Sequence, residues 1–282
     1  MKLVRFGPVG AEKPGIVDGD GAIRDLSGVV PDIAGDVLTS AGLAKIRAVD
    51  PSTLPLAPAG ARLGPCVGNV RHFVAVGLNY VDHAHETGLP IPEEPILFNK
   101  APNCIVGPND DVMLPKDHKK VDWEVEIAFV IGDRAESVSR ENALAHIAGV
   151  CICNDVSERH FQTERGGQWM KGKGCPTFGP LGPWLVTLDE IPDLQKLGMW
   201  LDVNGERRQT GSTSTMIFDI DYLASYISGF MALDPGDVVT TGTPPGVGMG
   251  MKPPTYLAAG DVVSLGVDLL GEQRQTVIPY GG

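Results

Sequence analysis

Val121-Asp122-Trp123-Glu124-Val125-Glu126-Ile127-Ala128-Phe129-Val130-Ile131 places apolar residues at every second position from 121 to 131. That spacing predicts a β-strand with one continuous apolar face, because successive side chains of an extended chain point to opposite sides. The other face carries Asp122, Glu124 and Glu126. Like charges two residues apart on one face repel unless a cation or solvent separates them. A solvated edge strand would satisfy the same pattern. Toward its C-terminal end, however, the polar face turns apolar at Ala128 and Val130, so the glutamates stand where a buried sheet face begins.

A second strand-like run, Val150 to Val156, delivers Asp155 just before Ser157, a residue type suited to a helix N-cap. Glu124, Glu126 and Asp155 then form an oxygen-only ligand set, which selects magnesium, manganese or calcium over zinc or copper. The six histidines show no H-x-x-x-H or facial-triad spacing. Histidine ligation of zinc or iron is not expected.

Composition narrows the partners. The chain has 282 residues, enough to bury a sizeable core, and a net charge of −12 that argues against general affinity for nucleic acid or anionic membrane. Small molecules and ions are the expected partners. Five cysteines at irregular spacing, with no C-x-x-C, do not make a disulfide framework and fit a reducing compartment. No apolar stretch approaches the roughly 20 residues of a bilayer span, so a soluble, cytoplasmic protein is expected.

Residues 1 to about 50 read as short strands broken by Asp18-Gly19-Asp20-Gly21, followed by a helix near Asp36 to Val49. A proline-rich passage from Pro51 to Pro65 predicts a boundary near residue 68, giving a small β-rich N-terminal domain (1–68) and a catalytic domain (69–282). Strand runs at 96–99, 121–131, 150–156, 183–187, 200–203, 237–241 and 261–267 outnumber the helices and do not alternate with them. The pattern suits an α+β, mostly-β architecture better than a doubly wound sheet. Thr240 to Gly250 is too irregular for a nucleotide fingerprint. It reads either as a turn whose backbone N–H groups face an anion, with Thr243 adding a hydroxyl, or as a loop merely shaped by its glycines and prolines.

Gly77-Leu78-Asn79-Tyr80-Val81-Asp82-His83-Ala84-His85-Glu86-Thr87-Gly88 predicts a short helix capped by Asn79 and stopped at Gly88. His83 and Glu86 are then i, i+3 neighbours. A carboxylate at that spacing fixes one imidazole tautomer and raises its basicity, as a general base for water requires, although such pairs also arise as surface hydrogen bonds. His85 lies on another face. After Asp155, Arg159 and Gln162 share a helix face. Lys171 and Lys173 follow in a stretch too rich in glycine and proline for helix. Cations belong there, because three carboxylates around one divalent ion leave a net negative charge to which an acidic substrate adds.

Taken in order, Gly77 to Tyr80 with His83 and Glu86, Trp123 to Gly132, Asn154 to Arg159 with Gln162, Lys173 to Phe178 with Gly182-Pro183, and Thr241 to Pro244 resemble the fumarylacetoacetate hydrolase family. The resemblance spans roughly residues 70 to 250. It implies a mixed β-roll catalytic domain with a small N-terminal domain, Mg²⁺ or Mn²⁺ held by Glu124, Glu126 and Asp155, and homodimers. It also implies a His83–Glu86 dyad on a lid-like helix and a catalytic Lys173, with Tyr80, Lys100, Arg159, Gln162 and Thr243 on the substrate. Where many members carry an aspartate three residues after the lysine, this chain has Pro176. The wording Gly172-Lys173-Gly174-Cys175-Pro176-Thr177-Phe178 resembles the family's sugar-acid branch, which implies 2,4-diketo-3-deoxy-L-rhamnonate as substrate, with L-rhamnose catabolism as context.

The expected reaction is metal-dependent hydrolysis of the C3–C4 bond of a 2,4-diketo acid. Decarboxylation of oxaloacetate and isomerisation of a hydroxymuconate-type acid use the same metal and enolate chemistry. A non-catalytic Ca²⁺-binding protein would more often show D-x-D-x-D-G spacing, which is absent. Selectivity is expected from the 85–95 loop and from Trp169 to Lys173.

Overall fold

A computed structural model describes residues 1–88 and 90–281. Leu89, part of the 85–95 loop, and Gly282 lie outside the described residues. The chain opens with β1 (Lys2–Phe6), β2 (Lys13–Val17), β3 (Ile23–Asp25) and α1 (Ser40–Arg47). Next come β4 (Phe73–Gly77), α2 (Val81–Thr87), β5 (Ile96–Lys100), β6 (Ile105–Val106) and β7 (Val112–Met113). The middle supplies β8 (Val121–Asp122), β9 (Val125–Ile131), α3 (Arg140–Ala143), β10 (Ile147–Asn154), β11 (Ser157–Glu158), α4 (Arg159–Thr163), α5 (Met170–Lys173) and β12 (Gly179–Val186). β13 (Gly198–Val203), β14 (Glu206–Ser212), α6 (Ile220–Ser228), β15 (Val238–Thr240), β16 (Val262–Val267) and β17 (Gly271–Ile278) complete it.

Strand accounts for 32% of residues against 21% helix, so the mostly-β expectation holds. The large sheet runs β3-β2-β1-β12-β10-β9-β15-β4-β5, with β6 pairing β12. A five-stranded sheet runs β14-β13-β16-β17-β7, and it packs β16 and β17 on β10, and β13 on β9. Every residue of β9 and β10 is therefore buried, on both faces. The N-terminal strands continue the large sheet through β1 and β12, with Leu3 opposite Leu185.

Several local expectations are corrected. The 121–131 run is not one strand: it breaks at Trp123 and Glu124, and β8 turns away to pair with β11. The Asp36–Val49 helix is a 3-10 turn (Gly35–Leu38) followed by α1, whose N-cap Thr39 accepts from Gly42 N. Ser157 caps no helix. It lies in β11, and the Glu158 carboxylate caps α4 by accepting from Phe161 N. Asn79 is likewise not the cap of α2, which begins after Tyr80; Gly88 ends the helix at φ +67°, in the left-handed conformation expected of a C-terminal glycine. Residues 170–173 do form a helical turn, α5. Gly172 permits it, because a Cβ there would stand 2.3 Å from the Glu158 carbonyl oxygen.

Candidate active site

The break after β8 is where the site begins. Three successive amides leave the sheet ladder and are taken by side chains: Trp123 N donates to Asp122 Oδ1 (2.9 Å), Glu124 N to Asn154 Oδ1 (3.2 Å) and Val125 N to Gln209 Oε1 (2.9 Å). Buried amides must find such acceptors or lose stability. The polar residues inside this core thereby hold a kinked backbone that a regular strand would not give. Asp155 N donates to Glu124 O at 2.9 Å, which ties the end of β10 to the same kink.

The kink gathers Glu124, Glu126 and Asp155, whose ligand atoms lie within 4.8 Å of one another, all three side chains buried. Cations crowd the cluster. Lys173 Nζ donates to both Glu124 Oε2 and Asp155 Oδ2 at 2.7 Å. Arg159 Nη2 reaches Glu124 Oε1 at 2.6 Å, and Lys100 Nζ lies 2.5 Å from Asp155 Oδ1. Glu126 has only the Gly242 amide, donating at 2.9 Å, among the printed partners of its carboxylate.

The titration behaviour follows from this inequality. Burial would raise the Glu124 carboxyl, but Lys173 and then Arg159 hold it below the ordinary carboxylate range. Glu126 is pushed well above that range by burial, with Asp155 and Glu124 adding repulsion. Burial opposes the Lys100 ammonium, yet Asp155 raises it above an ordinary lysine. An all-oxygen donor set of this size, with one carboxyl lacking a cation, is the chemistry a hard divalent ion fits.

His83 Nδ1 stands 3.0 Å from Glu86 Oε2 on α2. The other Glu86 oxygen accepts from Gly246 N at 3.0 Å, fastening α2 to the glycine-rich loop after β15. Asn79 holds the start of the same segment, donating to Phe218 O and Thr241 O and accepting from Phe218 N. The loop amides do face anions, and those anions are the protein's own carboxylates. Gly242 serves Glu126, Gly246 serves Glu86, and Gly248 and Met249 serve Asp122.

A cavity of about 220 Å³ brings together His83, Glu124, Glu126, Arg159, Gln162 and Lys173, with Thr243 on its wall. Arg159 Nη1 donates to Gln162 Oε1 at 3.1 Å, as their spacing on one helix face predicts. Thr243 Oγ1 is engaged internally, donating to Val125 O and accepting from Gln209 Nε2. Tyr80 and Lys100, expected to touch substrate, are not among the described lining residues. The Tyr80 hydroxyl meets Met199 Sδ, and Lys100 sits behind Asp155, donating to Lys173 O. Lys171 points outward to Arg165 O.

Sequence reasoning missed Asp122, which pairs with Arg159 Nε at 2.8 Å and gathers two loop amides. It also missed Asn154, Gln209 and the aromatic wall of Phe98 and Trp169. The one sequence signal for Asn154 is an amide closing an apolar strand, where an unpartnered polar group would be costly.

Comparison with known proteins gives a consistent picture. Residues 72–278 match the family model described as Fumarylacetoacetate (FAA) hydrolase C-terminal. A Burkholderia multivorans protein whose name says hydrolase and gives no substrate is 59% identical over 276 residues, 98% of each chain. The 5-carboxymethyl-2-hydroxymuconate delta-isomerase of Mycobacterium smegmatis superposes with a TM-score of 0.78 at 34% identity over 100% of each chain. The maleylpyruvate hydrolase of Sphingobium sp. SYK-6, solved with manganese(II) and pyruvate, superposes with a TM-score of 0.82 at 29% identity over 99% of each chain.

Proposed function

This chain belongs to the fumarylacetoacetate hydrolase family, and from that premise we propose that it is a divalent-metal-dependent hydrolase cleaving the C3–C4 bond of an acylpyruvate-type 2,4-diketo acid. The observation that carries the reading is the placement of the carboxylate trio and the His83–Glu86 pair in one cavity. Glu124, Glu126 and Asp155 would hold Mg²⁺ or Mn²⁺. When bound, that ion supplies Lewis-acid polarisation of a keto oxygen and stabilisation of developing negative charge.

Charge balance favours a monoanionic substrate. Asp122, Glu124, Glu126 and Asp155 face Lys100, Arg159 and Lys173, a formal net charge of −1 when every group is ionised. A divalent ion would make it +1, which one substrate carboxylate neutralises.

His83, oriented by Glu86, takes a proton from water, and the water oxygen bonds to C4. The C3–C4 bond breaks, its electron pair remains on the pyruvate fragment as the enolate, and a proton returned to C3 completes pyruvate. The other product is the carboxylic acid of the acyl group. Lys173 stands where enolate charge would develop, and a well-placed donor of this kind contributes about 3–4 kcal/mol. With 2,4-diketo-3-deoxy-L-rhamnonate, the substrate suggested by the residues around Lys173, the products would be pyruvate and lactate.

The test is a panel of acylpyruvates and sugar-derived diketo acids assayed with Mg²⁺, with Mn²⁺ and after EDTA. Pyruvate plus a second acid, lost on chelation, is the expected result. An isomerised product without bond cleavage would favour the second reading, suggested by the likeness to the M. smegmatis isomerase, and CO₂ would mark a decarboxylase.

A further inference from the structure

We propose that the cavity selects diketo acids whose acyl end is an unhydroxylated alkyl or aryl group, and that Trp169 and Phe98 are the residues that read it. This rests on the 2,4-diketo acid reading for the anionic end of the ligand. The argument for the other end is separate. Opposite the charged cluster the wall is carbon: Leu78, Ile96, Phe98, Trp169 and Met249.

Strand geometry builds that wall. Ile96 lies opposite Gly77, and Phe98 opposite Ala75, in the antiparallel β4–β5 pair. Ile96 and Phe98 are two residues apart and therefore share a face. Trp169 covers it, meeting the Phe98 ring edge to face with centroids 5.2 Å apart. The indole approaches the strand so closely that a Cβ on Gly77 would stand 2.5 Å from Trp169 Cζ3. Gly77 is thus the cradle that sets how far the indole retreats from the cavity.

The aromatic corner is also next to the chemistry. Lys173 Nζ, which bridges Glu124 and Asp155, is 5.2 Å from the Phe98 ring centroid. A ligand whose carboxylate and 2-keto group meet the charged end would lay its acyl carbons against this corner. The lining hydroxyls, Thr163 and Thr243, already donate to the carbonyl oxygens of Arg159 and Val125. A ligand hydroxyl placed against carbon would lose its water without a compensating partner.

Two measurements on the Mn²⁺-loaded full chain test this. The first needs no turnover: calorimetric affinities for pyruvate, 2-oxobutanoate, 2-oxopentanoate and 4-hydroxy-2-oxopentanoate. Affinity should rise about fourfold per added methylene, and the hydroxylated acid should bind about tenfold or more below its parent. Trp169→Ala should flatten the series while leaving pyruvate affinity unchanged. Trp169→Phe should restore part of the slope, and Gly77→Ala, which pushes the indole inward, should shorten the longest tail accepted. The second is kcat/KM for propanoylpyruvate against 2,4-diketo-3-deoxy-L-rhamnonate, with the former favoured.

Equal slopes in the parent protein and Trp169→Ala, or a hydroxylated acid bound as tightly as its parent, would overturn the assignment. Cleavage with no dependence on the acyl end would leave the hydrolase reading standing and remove this one. A chain-length series that persists without cleavage of any diketo acid would do the reverse.

Discussion

Lys173 Nζ donates to Asp155 Oδ2 at 2.7 Å, joining the end of α5 to the end of β10, and the same ammonium bridges to Glu124 Oε2. In the ion-free protein this lysine is the positive charge between two of the three clustered acids. A divalent ion at the trio would take over that neutralising role. Lys173→Met should therefore lower the thermal stability of the metal-free protein. Breaking a buried pair costs about 3–5 kcal/mol, and the remaining partners Arg159 and Lys100 keep the loss toward the lower end. Saturating Mn²⁺ should shrink the deficit. A deficit identical with and without metal, measured by calorimetry, would show that the lysine and the ion do not share this role.

Glu126 sets a pH dependence. Its carboxyl is held well above the ordinary range by burial, then by Asp155 and Glu124, so an incoming cation must displace its proton. Metal binding should release protons, and apparent affinity should rise with pH through the raised Glu126 value. Because the folded-state pKa lies above the unfolded one, the contribution of Glu126 to metal-free stability is present at low pH. It is lost as pH rises from the ordinary carboxylate range through the raised value. Titrations in two buffers of different ionisation enthalpy measure the proton release. Zero protons released would sink the prediction.

For the His83–Glu86 pair, His83→Ala should reduce kcat by about 10²–10⁴-fold, the span of general-base catalysis, with metal affinity intact. Undiminished turnover would remove His83 from the reaction. Glu86→Gln should also lower kcat, since an amide does not stabilise an imidazolium as a carboxylate does.

Asp122 predicts a different phenotype. It pairs with buried Arg159 and accepts from Gly248 N and Met249 N. Asp122→Asn leaves a buried guanidinium short of one charge partner, and about 3 kcal/mol of stability should be lost. The glycine-rich loop should exchange its amide hydrogens faster. Protection at 248 and 249 unchanged by the substitution would mean that the loop is held by something else.

How far this architecture is legible in the sequence depends on which force acts. Alternation along 125–131 and 147–154 exposes the central strands because burial of one face demands it, and the acids stand out against that apolar background. β14, Glu-Arg-Arg-Gln-Thr-Gly-Ser, shows no such pattern. Its residues pair with β13 while mostly facing solvent, so register is imposed by a partner distant in sequence. The break at Trp123 and Glu124 is also invisible locally, since it depends on Asn154 and Gln209 reaching in from other strands. Lys100 shows the same limit. Its burial behind Asp155 is set by tertiary packing, so a lysine near the motifs reads as a substrate contact when it is a support for an acid.

Glu86 spends one oxygen on the imidazole and the other on the amide of residue 246. On the proposed role of the dyad, shutting the helix against the loop and arming the base become one event, in the manner of a safety catch. An enzyme swung open to admit its guest would then hold an idle histidine, and bulk water passing through would not be activated beside the acid cluster.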